Sequence, residues 1–308
     1  MKTPYWFMHK TILAFLLTPI AGVYYFISRM VYRIRARRAY VPRRAVICIG
    51  NILAGGVGKT PIVRMIAKYM KAPVVMRGYK SGKNTSNIGD EALMLARDGL
   101  AVHTGHRKSN VMLLDRQSDD TPIVMDDGFQ NPGVKKTISI LVFDENIGIG
   151  NGFLIPAGPL RETPRAIRRA DAIIIIRGAR NKMLRVKIPE NIPIFYAENQ
   201  TVSPYDACEK LFAFAGIGYP RKFFSVLSNV VGTRVFADHY QYTESDIEKL
   251  INDAARHSAK LITTEKDWVR LPKKYQRQIK FAELNTTIDS AFFEWLKGKV
   301  NGYSNKKN

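Results

Sequence analysis

The sequence is poor in cysteine and has no acidic residue in its first 89 positions. Cys48 and Cys208 lie far apart and outside any Cys-x-x-Cys pair, which excludes a disulfide framework and a cysteine-ligated zinc site and indicates a reducing compartment. Neither a disulfide nor a structural metal is needed for stability. A globular chain of 308 residues, 46% of them hydrophobic, buries on folding most of the surface that the unfolded chain exposes.

The missing acidic residues concentrate positive charge at the amino-terminal end. The formal net charge is +22, and 16 basic residues precede Asp90, which is the first acidic residue. This end of the chain is therefore expected to contact an anionic partner. Nucleic acid is not the expected partner, since it would need basic residues interleaved with aromatic residues across the body of the chain.

Residues 11–28 form an 18-residue stretch without a charged side chain, TILAFLLTPIAGVYYFIS. As a helix this stretch would be about 27 Å long, just enough to cross the hydrocarbon core of a bilayer. Seven arginines between positions 29 and 44 would hold the following side at the cytoplasmic leaflet with its anionic lipids. We predict a membrane-anchor helix within residues 1–30. A spanning helix is preferred over one that lies in the interface, which Tyr24, Tyr25 and Tyr32 would suit.

A glycine-rich segment follows a short apolar strand that is predicted at 45–49. This segment, GNILAGGVGKTP at 50–61, leads into a predicted helix, an order typical of a phosphate-binding loop. Leu53 stands where the strict pattern has glycine, yet the later glycines still let the backbone approach a phosphate. Lys59 would add a charge over the β- and γ-phosphates of ATP, and Thr60 would supply a hydroxyl ligand to Mg²⁺. The predicted nucleotide contacts are Asn51, Gly55, Gly56, Val57, Gly58, Lys59 and Thr60.

Two adjacent aspartates follow another buried strand, which is predicted at 123–125. A carboxylate at the carboxyl end of such a strand is where nucleotide-binding folds hold their metal, directly or through water. A turn explains Asp127-Gly128 but leaves Asp126 without a role. We therefore predict that Asp126 or Asp127 binds Mg²⁺ together with Thr60.

Strands predicted between 46 and 176 alternate with helical patterns, which indicates an α/β fold with a P-loop NTPase-like doubly wound sheet. After residue 181 the chain is rich in proline and is expected to be irregular. A second α/β series begins at 211 and includes a helix at 244–258 with a capping box of Ser245 and Glu248. The predicted domains are a P-loop domain at 31–190 and a second, smaller α/β domain at 191–308.

The sequence resembles the tetraacyldisaccharide 4′-kinase family of Gram-negative bacteria over nearly its whole length. The motifs that carry the resemblance are the apolar amino-terminal segment, GNILAGGVGKTP, Arg77-Gly78-Tyr79, Gly89-Asp90-Glu91, DDGFQN, PAGPLRE at 156–162, FAGIGYPRKFF at 214–224, Asp238-His239-Tyr240 and TTEKD at 263–267. The resemblance implies an ATP-dependent kinase that phosphorylates the 4′-hydroxyl of a membrane-embedded acylated disaccharide 1-phosphate. It also implies a location on the cytoplasmic face of the inner membrane, among anionic lipids. A membrane-bound P-loop ATPase switch of the partitioning type is the alternative.

The resemblance assigns Asp90 as the base that accepts the hydroxyl proton, and His239 as the residue that orients Asp90 or shares its proton. Taken from the residues alone, Asp90 is better explained as a helix cap and His239 as a structural residue. On the predicted division these two residues belong to different domains, so that their contact would require the domains to close.

Arg161 ends a stiff turn that contains Pro156, Gly158 and Pro159. It is predicted to neutralise charge on the transferred phosphoryl group or to hold a substrate phosphate, with a surface ion pair as the alternative. Four residues of the matching motifs are predicted substrate contacts: Arg77, Glu91, Glu162 and Glu265. For Glu265 the alternative is a helix start that is capped by Thr264 and Asp267.

Overall fold

The structure is a computed structural model, and it describes residues 5–78, 89–178 and 186–304. The helices are α1 (Ile12–Leu16), α2 (Thr18–Ala36), α3 (Lys59–Met70), α4 (Asp90–Arg97), α5 (Arg107–Asp115), α6 (Pro220–Phe224), α7 (Glu244–Arg256), α8 (Glu265–Trp268), α9 (Lys273–Gln276) and α10 (Ser290–Ser304). The strands are β1 (Val46–Gly50), β2 (Val74–Met76), β3 (Val102–Thr104), β4 (Ile123–Asp126), β5 (Ile138–Asp144), β6 (Ala172–Ile176), β7 (Ile194–Val202), β8 (Leu211–Ala215), β9 (Val230–Val235), β10 (Lys260–Thr264) and β11 (Lys280–Ile288).

The chain forms two compact units, and each is assembled from separate segments. The first unit draws on Thr3–Arg77, Gly99–Glu198 and Thr286–Asn308, and the second on Gly78–Asp98 and Asn199–Asn285, so far as the structure describes these ranges. Helix α4, which begins with Asp90, therefore belongs to the same unit as His239. The predicted domain limits, 31–190 and 191–308, stay predictions.

The first unit contains parallel strands in the order β3-β2-β4-β1-β5-β6-β7. Strands β1, β4, β5 and β6 are almost entirely buried, as is typical of parallel strands that are covered on both faces. The order reverses at β1, which confirms the predicted doubly wound α/β sheet. Ile49 of β1 pairs with Asp126 of β4, so the glycine-rich loop and the two aspartates leave the sheet at the same edge.

Helix α3 follows the glycine-rich loop and packs against β1 and β4. Its apolar residues at 62, 63, 66 and 67 lie on one face and are fully buried. The helix ends at Lys71, which has the left-handed backbone conformation with a φ of 49°. The sequence pattern thus fixes both the start of the helix at the loop and its buried face.

The second unit contains parallel strands in the order β9-β8-β10-β11. Phe212 and Phe214 of β8 pack with Tyr242 and with the apolar face of α7. The capping box of α7 is formed by Thr243 and Asp246, which corrects the predicted box of Ser245 and Glu248. Thr243 is the residue with extended backbone before the helix, whereas Ser245 already lies in the first helical turn.

The apolar amino-terminal stretch is divided between two helices. Helix α1 ends at Leu16, Leu17 serves as the cap between the helices, and Pro19 occupies the first turn of α2. Within residues 5–78, 89–178 and 186–304, no helix combines the length and the apolar character that crossing a membrane requires. The predicted spanning helix is therefore not confirmed.

Candidate active site

The glycine-rich loop joins Gly50 of β1 to Lys59 of α3. Gly55 has a φ of 116° and Gly58 a φ of 76°, values that side chains with a Cβ rarely adopt, so glycine is required at both positions. Asn51 is completely buried, and neither polar atom of its side chain has a hydrogen-bond partner among the described residues. A buried amide without a partner is rare in folded proteins and is expected where a ligand completes the hydrogen bonding.

Asp127 joins the loop lysine to the arginine of the PAGPLRE segment. Its Oδ1 lies 3.2 Å from Lys59 Nζ, and its Oδ2 accepts a hydrogen bond of 2.8 Å from Arg161 Nη1. Burial acts to raise the pKa of Asp127, but the two cations outweigh this effect and hold it below its ordinary value. The cluster therefore presents two cations and one ionised carboxylate beside the glycine-rich loop.

Asp126 is the last residue of β4 and is buried. Its backbone carbonyl accepts a hydrogen bond of 3.0 Å from Arg107 Nε at the start of α5. The following turn lies tightly against the sheet, because a Cβ on Gly128 would come within 2.3 Å of Met125 Sδ and 3.2 Å of Cys48 Sγ. In the described part of the chain, no cluster of three or more histidine, cysteine, aspartate or glutamate residues is arranged to hold a metal ion by itself.

The PAGPLRE segment pairs with the glycine-rich loop through the backbone. Arg161 N donates to Ile52 O at 2.8 Å, and Ala54 N donates to Pro159 O at 2.7 Å. The hydroxyl of Tyr24 on α2 donates to the carbonyl of Arg161 at 3.2 Å. The position of Arg161 is thus fixed by both the glycine-rich loop and the amino-terminal helix.

In the second unit, Asp90 lies against His239 and Arg270. Asp90 Oδ2 is 3.1 Å from His239 Nδ1 and accepts a hydrogen bond of 2.6 Å from Arg270 Nη2. Burial acts to raise the pKa of Asp90, but Arg270 and then His239 hold it below its ordinary value. The predicted pairing of Asp90 with His239 is therefore present, and because both belong to one compact unit it needs no closure of two domains.

His239 is held by its backbone in an uncommon conformation. Its φ of 61° lies in the left-handed region, and its N–H donates to Gly216 O at 3.1 Å. The side chain is 65% exposed, whereas that of Asp90 is 7% exposed. The imidazole thus lies between the buried carboxylate and solvent.

The other predicted substrate contacts are distributed over both units. Glu91 forms an ion pair with Lys266 at 3.2 Å, Glu265 pairs with Arg97, and Glu162 pairs with Arg169. Arg77 is exposed. Tyr79 of its motif lies outside the described residues. A role in substrate binding stays a prediction for all four residues.

The structure also confirms the capped helix start at Thr264, whose hydroxyl oxygen accepts from the backbone N–H of Asp267. Sequence reasoning missed Arg270. It lies three residues after Asp267, but this spacing alone does not distinguish it from an ordinary arginine.

Comparison with known proteins identifies the family of the chain. The sequence profile described as LpxK, tetraacyldisaccharide-1-P 4′-kinase, matches residues 13–301. A tetraacyldisaccharide 4′-kinase from Rickettsia canadensis is 36% identical over 306 residues, covering 92% of this chain and 90% of the relative. The same enzyme from Rickettsia felis is 35% identical over 305 residues, with 92% and 90% covered.

A crystal structure of LpxK from Aquifex aeolicus, described as an apo form in complex with ATP, has a similar fold. Its TM-score is 0.77 over 95% of this chain and 99% of that chain, at 24% sequence identity. This likeness supports the α/β fold, and the sequence matches carry the assignment of the family. The chain belongs to the tetraacyldisaccharide-1-P 4′-kinase family.

Proposed function

We propose that the protein transfers the γ-phosphate of ATP to the 4′-hydroxyl of a tetraacyldisaccharide 1-phosphate. The observation that carries this proposal is the glycine-rich loop with Lys59, Asp127 and Arg161 beside it, in a chain of this kinase family. The alternative, an ATPase switch of the partitioning type, is not favoured, because relatives matching over 92% of this chain are kinases.

The first unit supplies the nucleotide site. The backbone N–H groups of the loop and the amino-terminal end of α3 would bind phosphate oxygens, and Lys59 would lie over the β- and γ-phosphates. The unpartnered amide of Asn51 would complete its hydrogen bonds with the phosphates or with the acceptor. Arg161 would stabilise negative charge on the phosphoryl group during transfer.

Mg²⁺ fits the oxygen donors at this edge of the sheet. The hydroxyl of Thr60 and the carboxylate of Asp126 are hard oxygen ligands, which Mg²⁺ prefers and supplements with water and phosphate oxygens. We assign the metal to Asp126, because it ends β4 at the edge of the sheet where nucleotide-binding folds hold their metal, whereas Asp127 contacts Lys59 and Arg161. When bound, the ion supplies positive charge that neutralises the phosphate oxygens.

The second unit supplies the proton acceptor. Asp90 would take the proton of the sugar hydroxyl late in the transfer, because such an alcohol is a poor nucleophile and the transition state is loose. His239 would orient Asp90 and pass the proton towards solvent. Phosphoryl transfer of this kind needs chiefly alignment and charge neutralisation, which these residues provide.

Incubation of the detergent-solubilised protein with γ-labelled ATP, Mg²⁺ and a tetraacyldisaccharide 1-phosphate is expected to place label in the lipid. The matched control is an acceptor that already carries a 4′-phosphate and therefore lacks the free hydroxyl. Chelation of Mg²⁺ should abolish the transfer. Release of labelled inorganic phosphate with no labelled lipid would support the ATPase switch and overturn the proposal.

We also propose that α1 and α2 lie in the interface of the inner membrane, at its cytoplasmic face. Apolar side chains are exposed along one side of these helices, namely Ile12, Phe15, Leu16, Ile20, Val23, Phe26, Ile27, Met30 and Ile34. Arginines at 29, 33, 35, 37 and 38 accompany this surface. An exposed apolar stripe with adjacent cations is typical of a helix that binds anionic lipids in the interface.

The interfacial helices also contact the segment that carries Arg161. Tyr24 donates a hydrogen bond to the Arg161 carbonyl, and the ring of Phe15 packs edge-on against Phe153 with 5.3 Å between centroids. Docking of these helices on a bilayer would therefore bring Arg161 close to the lipid surface. This arrangement suits an enzyme whose acceptor is a membrane lipid.

Phe26→Glu is expected to lower binding to vesicles that contain anionic phospholipid by about tenfold or more. A phenylalanine side chain that moves from water into the bilayer contributes about 1.5–3 kcal/mol to the free energy of binding. Leu113→Glu, at a site on α5 that is 56% exposed, is the matched control and should bind like the parent. Cosedimentation at several salt concentrations measures both effects, since the contribution of the arginines should weaken with salt. Equal binding by the Phe26 and Leu113 variants would contradict the interfacial position.

A further inference from the structure

We propose that Arg270 is a positioning residue for phosphoryl transfer, and that it holds the Asp90 carboxylate ionised and turned towards the acceptor. This inference rests on the proposed function, in which Asp90 accepts the hydroxyl proton. Arg270 is buried with a side chain only 2% exposed, and it lies 180 positions after Asp90 in the sequence. Burying a guanidinium is costly unless it is paired, so the partners of Nη1 and Nη2 indicate its role, while Nε has no hydrogen-bond partner among the described residues.

The guanidinium of Arg270 joins two buried carboxylates. Nη2 donates to Asp90 Oδ2 at 2.6 Å, and Nη1 donates to Asp267 Oδ1 at 3.0 Å and to Gly216 O at 3.0 Å. A lysine could not hold this geometry, because its single ammonium lacks the planar fork of arginine. The contacts of Nη1 with Asp267 and Gly216 thus fix the orientation of the guanidinium, and with it the position of Nη2 at Asp90.

Asp267 is the anchor behind the guanidinium. Its side chain is completely buried, and Oδ1 also accepts hydrogen bonds from Tyr242 OH at 2.9 Å and from Gly216 N at 3.0 Å. Oδ2 accepts from the hydroxyl of Thr264 at 2.6 Å. Gly216 follows β8, Tyr242 precedes the cap of α7 and Thr264 ends β10, so these partners hold Asp267 in place and leave Arg270 little freedom to turn.

Both contacts of the Asp90 carboxylate fall on one oxygen. Arg270 and His239 each approach Oδ2, and no hydrogen bond joins Oδ1 to another residue in the ranges that the structure describes. Arg270 thereby leaves Oδ1 as the oxygen that can accept the acceptor hydroxyl. The same contact places Arg270 Nη2 at 3.3 Å from His239 Nδ1, so the cation also limits where the imidazole proton can lie.

Among the described residues, the other charged groups near Asp90 have partners of their own. On α8, Lys266 pairs with Glu91 and Glu265 pairs with Arg97, while Asp238 lies 3.9 Å from His239 Nε2. Within the described part of the chain, Arg270 is therefore the cation that directly contacts Asp90, and His239 is its other titratable neighbour. Removal of Arg270 would leave burial as the dominant influence, so that the pKa of Asp90 would rise.

The test compares Arg270→Gln and Arg270→Lys with the parent enzyme in the lipid phosphorylation assay across the pH range. For Arg270→Gln we expect kcat to fall by about tenfold or more at acidic pH, where a base with a raised pKa is protonated, and to fall less at alkaline pH. The KM for ATP should not change, because the nucleotide contacts lie in the first unit. For Arg270→Lys the acid limb should move less, but kcat should still fall several-fold because one ammonium cannot hold both carboxylates.

Arg256→Gln is the matched control, since Arg256 forms an exposed ion pair with Asp253 on α7. Carboxyl ¹³C NMR, with Asp90 assigned through Asp90→Asn, measures the titration of Asp90 without any turnover. A parent enzyme that phosphorylates no lipid would contradict the proposed function, while an unshifted Asp90 titration in Arg270→Gln would contradict the role of Arg270. If Arg270→Gln does not fold, Arg270→Lys decides: a parental kcat and acid limb would overturn the proposal, and a reduced kcat with a parental KM for ATP would support it.

Discussion

Asp90→Asn is expected to lower kcat for lipid phosphorylation by about 10²- to 10⁴-fold, which is the usual contribution of a positioned general base. An amide of the same shape can still accept the hydrogen bond from Arg270, but it cannot take a proton from the sugar hydroxyl. ATP binding should remain, because the glycine-rich loop is unchanged. Single-turnover kinetics with the lipid acceptor and a separate ATP-binding measurement distinguish these two expectations.

Asp98→Asn is the matched control for this prediction. Asp98 stands at the other end of α4, where it pairs with Arg97. Its variant should keep kcat close to that of the parent, and thermal unfolding should show whether either substitution destabilises the fold. A kcat of Asp90→Asn equal to that of the parent would show that Asp90 is not the base. Its role at the start of α4 would then be the interpretation that remains.

The sheet of the first unit could be predicted because its strands are short apolar runs that are bounded by turns. Strand β7, in contrast, falls in the segment that the sequence indicates as irregular. Its buried and exposed residues alternate, and prolines at 193 and 204 flank it, so neither a continuous apolar run nor a clear strand boundary is visible. Composition also could not show the break at Leu17, because proline in the first turn of α2 is compatible with a helix.

Residues of the candidate site could be predicted from the sequence only where they belong to a local sequence motif. The glycine-rich loop and the two aspartates are recognisable because phosphate and metal binding need particular residues at fixed spacing. Asp90 and His239 were found through the family resemblance, since neither residue has a local pattern that separates it from a cap or a structural histidine. Arg270 could not be found in either way, because its role depends on a contact across 180 positions that only the folded chain creates.

Glu91 and Glu265, in contrast to Arg270, lie in recognisable motifs but have no established role in the site. Both residues lie in motifs that match the family, yet each is paired with a cation of its own unit. A match to a family motif therefore does not by itself show whether a residue touches the substrate or forms an ion pair within the fold. Distances and partners are needed to separate the two.

Lys59→Ala is expected to reduce kcat/KM for ATP by about 10²- to 10³-fold, the typical loss when one charged or hydrogen-bonding group that stabilises the transition state is removed. Lys59 begins α3 and lies 3.2 Å from Asp127, so its ammonium is held at the loop by the carboxylate. Without it, the negative charge on the β- and γ-phosphates would be met only by the backbone, the metal and Arg161. Steady-state kinetics with varied ATP measures the loss.

Lys68→Ala is the matched control, because Lys68 is an exposed lysine in the last turn of the same helix. That variant should keep the parental kcat/KM, so a general effect of charge removal on α3 can be recognised. The loss in Lys59→Ala should also persist at saturating acceptor, since the lysine acts on the nucleotide and not on lipid binding. If Lys59→Ala retained kcat/KM within about threefold of the parent, the glycine-rich loop could not be the phosphate site, because even one oxyanion-type contact is worth more than that.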